Sequence, residues 1–192
     1  MNAVRKYAAL VLVTPLALAL DQWTKFLAVS HLTRALAGPG SPGFFGANHL
    51  LALRTAPVTV TSFWKFVYAE NPGAAFSFLA GASSGARIPF FYVVALAATV
   101  LIGFFYVKSG DGHGLRRLAL AMVLGGAFGN TLDRIIHGYV IDFILWHAGH
   151  YEWPVFNVAD SFVCVGVFLL LTENWWVKSP APLPVTEKAA AP

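Results

Sequence analysis

The sequence predicts an all-α membrane protein with four transmembrane helices. Of its 192 residues, 57% are hydrophobic and only 11% are charged, and the mean hydropathy is +0.64. This composition is far more apolar than that of an average soluble domain. Four apolar segments follow one another along the chain, at residues 7–28, 88–107, 118–132 and 157–177. Together with the short length, they indicate one small helical bundle in lipid.

The first apolar segment begins after Arg5 and Lys6 and is interrupted by Asp21 and Lys25. Its basic start and short apolar core also fit a cleavable signal peptide. Three further apolar segments argue against cleavage, which would leave the Asp21 motif on a loose terminus. The segment at 88–107 has no charge over 20 residues, and as a helix it would span about 30 Å.

Basic residues in short flanking stretches set the orientation of the spans. They precede the first span, crowd the turn between the second and third, and follow the fourth: Arg5, Lys6, Lys108, Arg116, Arg117, Lys178 and Lys188. Those regions should be cytoplasmic, so both termini are expected inside. Residues 29–87 and 133–156 then face outward.

The chain is predicted to be a single membrane-embedded domain over residues 1–178, with an outward insert at about 29–87. A Gly/Pro-rich break at 38–43 and a β-leaning run at 50–67 predict a small sheet on the membrane surface. Residues 179–192 are rich in Pro and Ala and are expected to form a disordered cytoplasmic tail.

The formal net charge of +4 is spread thinly, without the clustered basic face that nucleic-acid binding requires. The lone Cys164 cannot form an internal disulfide. His137, His147 and His150 share one outward segment, but no His-Glu-x-x-His pattern accompanies them. Nothing in the sequence therefore supports a nucleic-acid partner, a disulfide framework or a zinc site.

Every isolated polar residue near a span reaches the same face of the membrane when the spans alternate. These residues are Asp21, Lys25, Asn71, Asn130, Asp133, Arg134, Asp142, Asn157 and Asp160. A charged group at bilayer depth costs about 2.5–3.5 kcal/mol on insertion scales and usually has a function. We therefore expect one outward-facing site at the lipid–water boundary.

Asp142 and Asp160 are the candidate catalytic pair. Two neighbouring carboxylates resist double ionisation and share one proton, so one can activate water while the other donates to a leaving group. A pair of ordinary interfacial carboxylates is the alternative. Asp133 is a competing candidate, but the adjacent Arg134 favours a permanently ionised, structural carboxylate at that position.

With these residues identified, the chain resembles lipoprotein signal peptidase, also called signal peptidase II, a bacterial membrane aspartyl protease. Four motifs carry the resemblance, in the family's order, over residues 21–161. They are Asp21-Gln22-Trp23-Thr24-Lys25, Asn71-Pro72-Gly73-Ala74-Ala75-Phe76-Ser77, Gly125 through Arg134 with Asp142-Phe143, and Phe156-Asn157-Val158-Ala159-Asp160-Ser161. Together these motifs are highly specific, although the second alone would be weak.

The resemblance implies four transmembrane helices with cytoplasmic termini in the bacterial inner membrane, a periplasmic β-cradle and a short surface helix. It implies that Asp142 and Asp160 form the catalytic dyad at the periplasmic face, with no metal or organic cofactor. Positions that match supporting or substrate-binding residues are Asp21, Asn71, Asn130, Asp133, Arg134 and Asn157. The substrate would be a prolipoprotein cut on the amino-terminal side of its diacylglyceryl-modified cysteine. Membrane lipids are the other expected partner, and the protein is expected to be a monomer.

The sequence departs from the family mainly between Asp21 and Asn71, where the Gly/Pro-rich stretch lengthens the outward segment, and at Pro72. These departures leave the shape of the cradle and the substrate preference open. Two other function classes also stay open: a small transporter or channel subunit with intramembrane carboxylates, and a non-catalytic lipoprotein-binding scaffold. Cleavage of a lipidated precursor would separate all three.

Overall fold

The computed structural model describes residues 3–33, 54–73, 84–110 and 112–176, which form four helices and four strands. The helices are α1 (Ala3–Leu32), α2 (Ser84–Lys108), α3 (Gly114–Ile136) and α4 (Val158–Trp176). The strands are β1 (Val58–Thr59), β2 (Trp64–Asn71), β3 (Val140–Ala148) and β4 (Tyr151–Glu152). The protein is thus mostly helical with one small antiparallel sheet.

The helices expose large apolar side chains and bury charged ones. Leu12 of α1, Leu96 of α2 and Leu171 of α4 are 68%, 66% and 75% exposed. Asp21 and Lys25 of α1, in contrast, are completely buried. A bundle in water has the opposite arrangement, whereas helices in lipid place apolar side chains outside and ionisable ones inside.

Within the described ranges, the stretch Pro89–Lys108 of α2 is the one helical segment whose length and apolar composition suffice to cross a membrane. The other three helices are also long, but each carries charged residues. The expectation of four spans therefore stays a prediction.

Helix α3 lies at the centre of the bundle and packs against the other three helices. Glycines allow its backbone to come close to its neighbours. A Cβ at Gly125 would collide with Ala17 of α1, and a Cβ at Gly126 would collide with the backbone of Ala159 in α4. Small residues at such crossings are typical of helix packing in lipid.

A glycine turn joins α3 to β3. Gly138 has a φ of 81°, the left-handed conformation that commonly ends a helix. Just before it, the His137 N–H donates to the Asp133 carbonyl oxygen at 2.7 Å. The chain then reverses so sharply that the Ile141 N–H donates to the Asp133 carboxylate at 3.0 Å. The start of β3 is thereby tied to the end of α3.

The strands lie in the order β1-β2-β3-β4, and each pairs with the next in antiparallel orientation. Between β2 and β3 the register shifts: Phe66 pairs with Ile144, but Ala69 pairs with Asp142. Three steps along β2 therefore match two along β3, which is a β-bulge.

The bulge decides which residue of β2 can contact Asp142. Side chains alternate between the two faces of a strand, so one extra residue exchanges the faces beyond it. Asn71, opposite Val140, consequently shares a face with Asp142. In an unbroken register Glu70 would be opposite Val140, on the face of Asp142.

Each helix begins and ends within four residues of the apolar segment that predicts it. The sheet differs from expectation, because β3 comes from the second outward segment, which was not predicted to contain a strand. Val140 through Phe143 are all buried. This strand therefore begins without the alternation of apolar and polar residues that marks a strand with one buried and one exposed face. The predicted short surface helix has no counterpart in the described ranges, and residues 38–43 and 179–192 lie outside them.

Candidate active site

Asp142 lies near the start of β3 and is only 3% exposed. Each of its carboxylate oxygens accepts one amide hydrogen bond. Asn71 Nδ2 donates to Oδ2 at 2.9 Å, and Asn157 Nδ2 donates to Oδ1 at 2.7 Å. One donor comes from the bulged strand and the other from the residue before α4, so the carboxyl group is held from two sides.

Asp160 lies in the first turn of α4 and completes a capping box with Asn157. Asn157 Oδ1 accepts from the Asp160 N–H at 2.9 Å, and Asp160 Oδ2 accepts from the Asn157 N–H at 3.2 Å. These reciprocal bonds satisfy two backbone donors of the helix N-terminus. Asp160 Oδ1 accepts from Asn130 Nδ2 at 2.7 Å. Negative charge on Asp160 is thus stabilised by two N–H donors and by the positive end of the helix dipole.

The completely buried Asn157 links the two aspartates, because it bonds the carboxyl groups of both. Burial raises the pKa of Asp142 to about 7, and the negative charge of Asp160 is the second cause. An ordinary aspartate titrates near pH 4. Burial and the neighbouring carboxylate thus shift the pKa of Asp142 upward into the neutral range.

Asp21 of α1 caps α4 across the helix interface. Its Oδ1 accepts from the Ala159 N–H at 2.9 Å, one of the backbone donors at the start of α4. Its Oδ2 accepts from Lys25 Nζ at 2.7 Å. A Cβ at Gly129 would collide with the Asp21 carboxylate, so the glycine leaves the space that this contact needs.

Lys25 is completely buried, and its ammonium group has three oxygen partners. They are Asp21 Oδ2 at 2.7 Å, Asp133 Oδ2 at 2.8 Å and Asn130 Oδ1 at 3.1 Å. An ammonium group has three donors, so each has an acceptor. The sequence suggested Arg134 as the cation near Asp133, but the cation that forms an ion pair with it is Lys25.

Arg134 holds the chain just after β2. Its Nη2 donates to the Gly73 carbonyl oxygen at 2.8 Å, and its Nη1 to the Asn130 carbonyl oxygen at 3.0 Å. The Gly73 N–H donates in turn to Asn71 Oδ1 at 3.0 Å. Because that bond fixes the Asn71 amide, Arg134 helps to aim Asn71 Nδ2 at Asp142.

The structure joins the eight predicted site residues in one hydrogen-bonded network at the sheet end of the bundle. Lys25, which the sequence placed among the outward-facing polar residues without assigning it a role, belongs to the same network. A lysine four residues after Asp21 in an apolar helix was the signal, because such residues lie on one helix face. Within the described ranges, no group of three or more His, Cys, Asp or Glu side chains could hold a metal ion.

A buried cluster of Tyr68, Glu70 and Tyr139 was not predicted from the sequence. The Tyr68 hydroxyl donates to Glu70 Oε1 at 3.0 Å and lies 3.3 Å from the Tyr139 hydroxyl. Burial raises the pKa of Tyr139 to about 12, so this phenol stays neutral at physiological pH. The two tyrosines pack with Val29 and Ile141, and they support the strands that carry the site.

An apolar groove of about 280 Å³ lies between α1 and the sheet. It is lined by Thr24, Leu27, Ala28, His31, Leu32, Phe66 and Phe143. Phe143 directly follows Asp142 in β3, so the groove reaches the strand that carries Asp142. Its volume is at the small end for ligand pockets and suits one flexible chain better than a bulky group.

The sequence matches the family described as Signal peptidase (SPase) II over residues 13–176. A lipoprotein signal peptidase from Anaeromyxobacter sp. (strain Fw109-5) is 42% identical over 177 residues, which cover 86% of this chain and 84% of the relative. Another from Syntrophotalea carbinolica is 38% identical over 170 residues, which cover 88% of this chain and 92% of the relative.

Two solved structures share the fold, and both are described as bacterial membrane enzymes. The first has a TM-score of 0.66 at 24% identity and covers 90% of this chain and 93% of its own. The second has a TM-score of 0.62 at 24% identity, and the match covers 85% of this chain and 90% of the second structure's chain.

Proposed function

The chain belongs to the signal peptidase II family and is a protease of lipoprotein processing, and we propose that it is an aspartic endopeptidase with Asp142 and Asp160 as its dyad. The substrates are prolipoproteins whose cysteine carries diacylglycerol. The cut falls on the amino-terminal side of that cysteine and releases the signal peptide.

The observation that carries the proposal is the linked pair of carboxyl groups. Asn157 bonds both of them, and the pKa of Asp142 is raised to about 7 by burial and by the charge of Asp160. A carboxyl group with a pKa near neutrality can take up and release a proton at physiological pH, which is what acid–base hydrolysis of a peptide bond requires.

In the proposed reaction, the ionised carboxylate removes a proton from water as the water oxygen attacks the scissile carbonyl carbon. The protonated carboxyl group then donates its proton to the nitrogen of the cysteine as the carbon–nitrogen bond breaks. The signal peptide leaves with a new carboxylate, and the lipidated cysteine leaves with a free amine. Asn71, Asn130 and Asn157 keep the two carboxyl groups oriented through these transfers.

The proposed location is the bacterial inner membrane, with four spans, both termini in the cytoplasm and the dyad at the periplasmic face. The apolar outer surfaces of α1, α2 and α4 support a lipid environment. The sheet and the dyad lie together at one end of the bundle, which is the end that the sequence predicts to face outward.

The groove lined by Phe143 would accept an acyl chain of the substrate while the peptide reaches the dyad. A monomer contains every residue that this mechanism uses.

The test is cleavage of a lipidated precursor by the purified protein in detergent micelles. A downward size shift on a gel, together with a new amino-terminal cysteine in the product, is the expected result. The same precursor without diacylglycerol is the control and should stay intact. A lipidated precursor that stays whole, with the protein folded, would contradict the proposal and favour a binding scaffold or a transport protein.

A further inference from the structure

Lys25 contacts neither Asp142 nor Asp160 in a hydrogen bond, yet one residue, Asn130, links it to Asp160, and a second, Asn157, extends the link to Asp142. Its Nζ donates to Asn130 Oδ1 at 3.1 Å, and Asn130 Nδ2 donates to Asp160 Oδ1 at 2.7 Å. Asn130 Oδ1 also accepts from Asn157 Nδ2 at 3.0 Å. The Asn130 side chain is therefore a bridge between the buried ammonium group and the dyad.

The chemistry of an ammonium group decides how this amide points. Lysine only donates, so the Asn130 group that faces Lys25 must be the carbonyl oxygen. The amide NH₂ of Asn130 is then forced toward Asp160. With the amide reversed, its NH₂ would meet the donors of Lys25 and Asn157, and its oxygen would face Asp160 without a proton between them.

The two aspartates consequently have different surroundings. Asp160 is half-buried, accepts two N–H donors and sits at a helix N-terminus, all of which favour its anion. Asp142 is almost completely buried on a strand, and its two donors are neutral side-chain amides. The charged groups in or next to this network are Asp21 and Lys25 of α1, Asp133 and Arg134 of α3, Glu70 of β2 and Asp160 of α4.

We propose that Lys25 is a positioning residue that acts through Asn130, fixing the negative charge on Asp160 and the shared proton on Asp142. Asp160 is then the base that activates water, and Asp142 is the acid that protonates the leaving amine. This assignment rests on the proposed function, and it gives each aspartate a separate role.

The variants must separate the orientation of the Asn130 amide from the net charge of the Lys25 cluster and from the folding of the protein. Lys25→Met alone would leave two buried carboxylates without their cation. The double variant Lys25→Met/Asp133→Asn removes one positive and one negative charge, so the net charge of the cluster is unchanged. Asn130→Ala removes the bridge itself, and Asp133→Asn alone is the control for the second substitution. Thermal unfolding in detergent establishes that each variant is folded.

We expect kcat of the double variant to fall on the order of 10²-fold, the size of a small misplacement of catalytic groups, with KM within about two-fold. Asn130→Ala should cause a similar loss. Adding Asn130→Ala to the double variant should cause little further loss, because residues in one chain of contacts are not additive. Losses that multiply would show that Lys25 does not act through Asn130 and would overturn the proposal.

A titration of the carboxyl groups tests the same proposal without turnover. With ¹³C in the aspartate carboxyl carbons, single Asp→Asn variants assign the signals in the folded protein. We expect the Asp142 signal to move as pH crosses about 7, and in the double variant this transition should occur at a different pH. An Asp142 transition that is the same in the double variant would overturn the assignment, whereas failure to cleave any precursor would count against the proposed function alone.

Discussion

Two ion clusters at opposite ends of the helical bundle differ in their access to solvent. At the sheet end, Lys25 and both of its carboxylate partners are completely buried. At the other end, Glu173 accepts from Arg116 Nε at 2.7 Å and lies 3.0 Å from His113 Nδ1. The Arg116 and His113 side chains there are 36% and 29% exposed.

The difference indicates what each cluster contributes. Removing an ion from water costs several kcal/mol, and a buried ion cluster is often no more stable than apolar side chains of the same volume. The sheet-end cluster is thus not expected to stabilise the packing of α1 against α3 more than apolar side chains would. What it provides instead is orientation, because it caps α4 through Asp21 and aims Asn130 at Asp160. The opposite cluster keeps its cations partly in water and needs no such function.

The largest expected contrast between the two ends is in catalysis. Asp142→Asn and Asp160→Asn should each reduce cleavage of a lipidated precursor by about 10³-fold or more, because neither amide can carry the transferred proton. Glu173→Gln, at the opposite end, should change the rate by less than about two-fold. Initial rates on folded, purified variants measure both. An Asn variant that keeps a tenth of the activity would refute the dyad.

The next contrast is in stability. Lys25→Met should lower the free energy of unfolding by about 3–5 kcal/mol, because two carboxylates stay buried without their cation. Arg116→Met should cost less, on the order of 1–2 kcal/mol, because the buried Glu173 carboxylate keeps its contact with His113 and the Arg116 side chain is partly exposed. Thermal unfolding in one detergent compares the two variants directly. Equal losses would mean that burial does not distinguish the clusters.

Much of this arrangement could be predicted from the sequence, because polar residues in apolar helices are costly and therefore conspicuous. Asp21, Asn130 and Asp160 stood out for that reason, and the alternation of four helices placed them at one end. The Lys25–Asp133 pair was missed because the neighbour in sequence, Arg134, offered a nearer cation. The packing of α1 on α3 brings the Lys25 ammonium group to 2.8 Å from the Asp133 carboxylate, which the sequence does not show.

The contact between Asn71 and Asp142 could not have been derived from the pattern of the strands. It depends on one extra residue in β2, and a bulge leaves no periodic signal in so short a strand. Strand β3 was missed because its first four residues are buried on both faces, which removes the alternation that identifies a strand from sequence. Pairing partners and register are properties of the assembled sheet.

Glycine substitutions offer a smaller contrast. Gly129→Ala should cost about 1–3 kcal/mol of stability, because its new methyl group would displace the Asp21 carboxylate from the start of α4. Gly103→Ala in α2 has no atom within 4 Å of the new methyl group and should gain up to about 1 kcal/mol. Thermal unfolding of both variants provides the comparison. A neutral Gly129→Ala would show that the Asp21 cap tolerates displacement.

The smallest expected effect concerns the groove. Leu27→Trp should fill part of it and raise KM for a lipidated precursor by about five-fold, equivalent to about 1 kcal/mol of lost apolar contact, while kcat stays unchanged. Leu12→Trp, on an exposed part of α1 far from the sheet, is the matched control. Precursors with shorter acyl chains should be less affected by Leu27→Trp. An effect independent of chain length would exclude the acyl chain as the occupant.

The most direct test of a shared proton is the pH dependence of kcat/KM for the unmodified protein. Burial and the charge of Asp160 raise the pKa of Asp142 to about 7, so the proton that the leaving amine needs is present below that pH and lost above it. Measured from about pH 5 to about pH 9, kcat/KM should fall tenfold per pH unit above pH 7. A profile that stays flat across neutrality would contradict the two-aspartate mechanism.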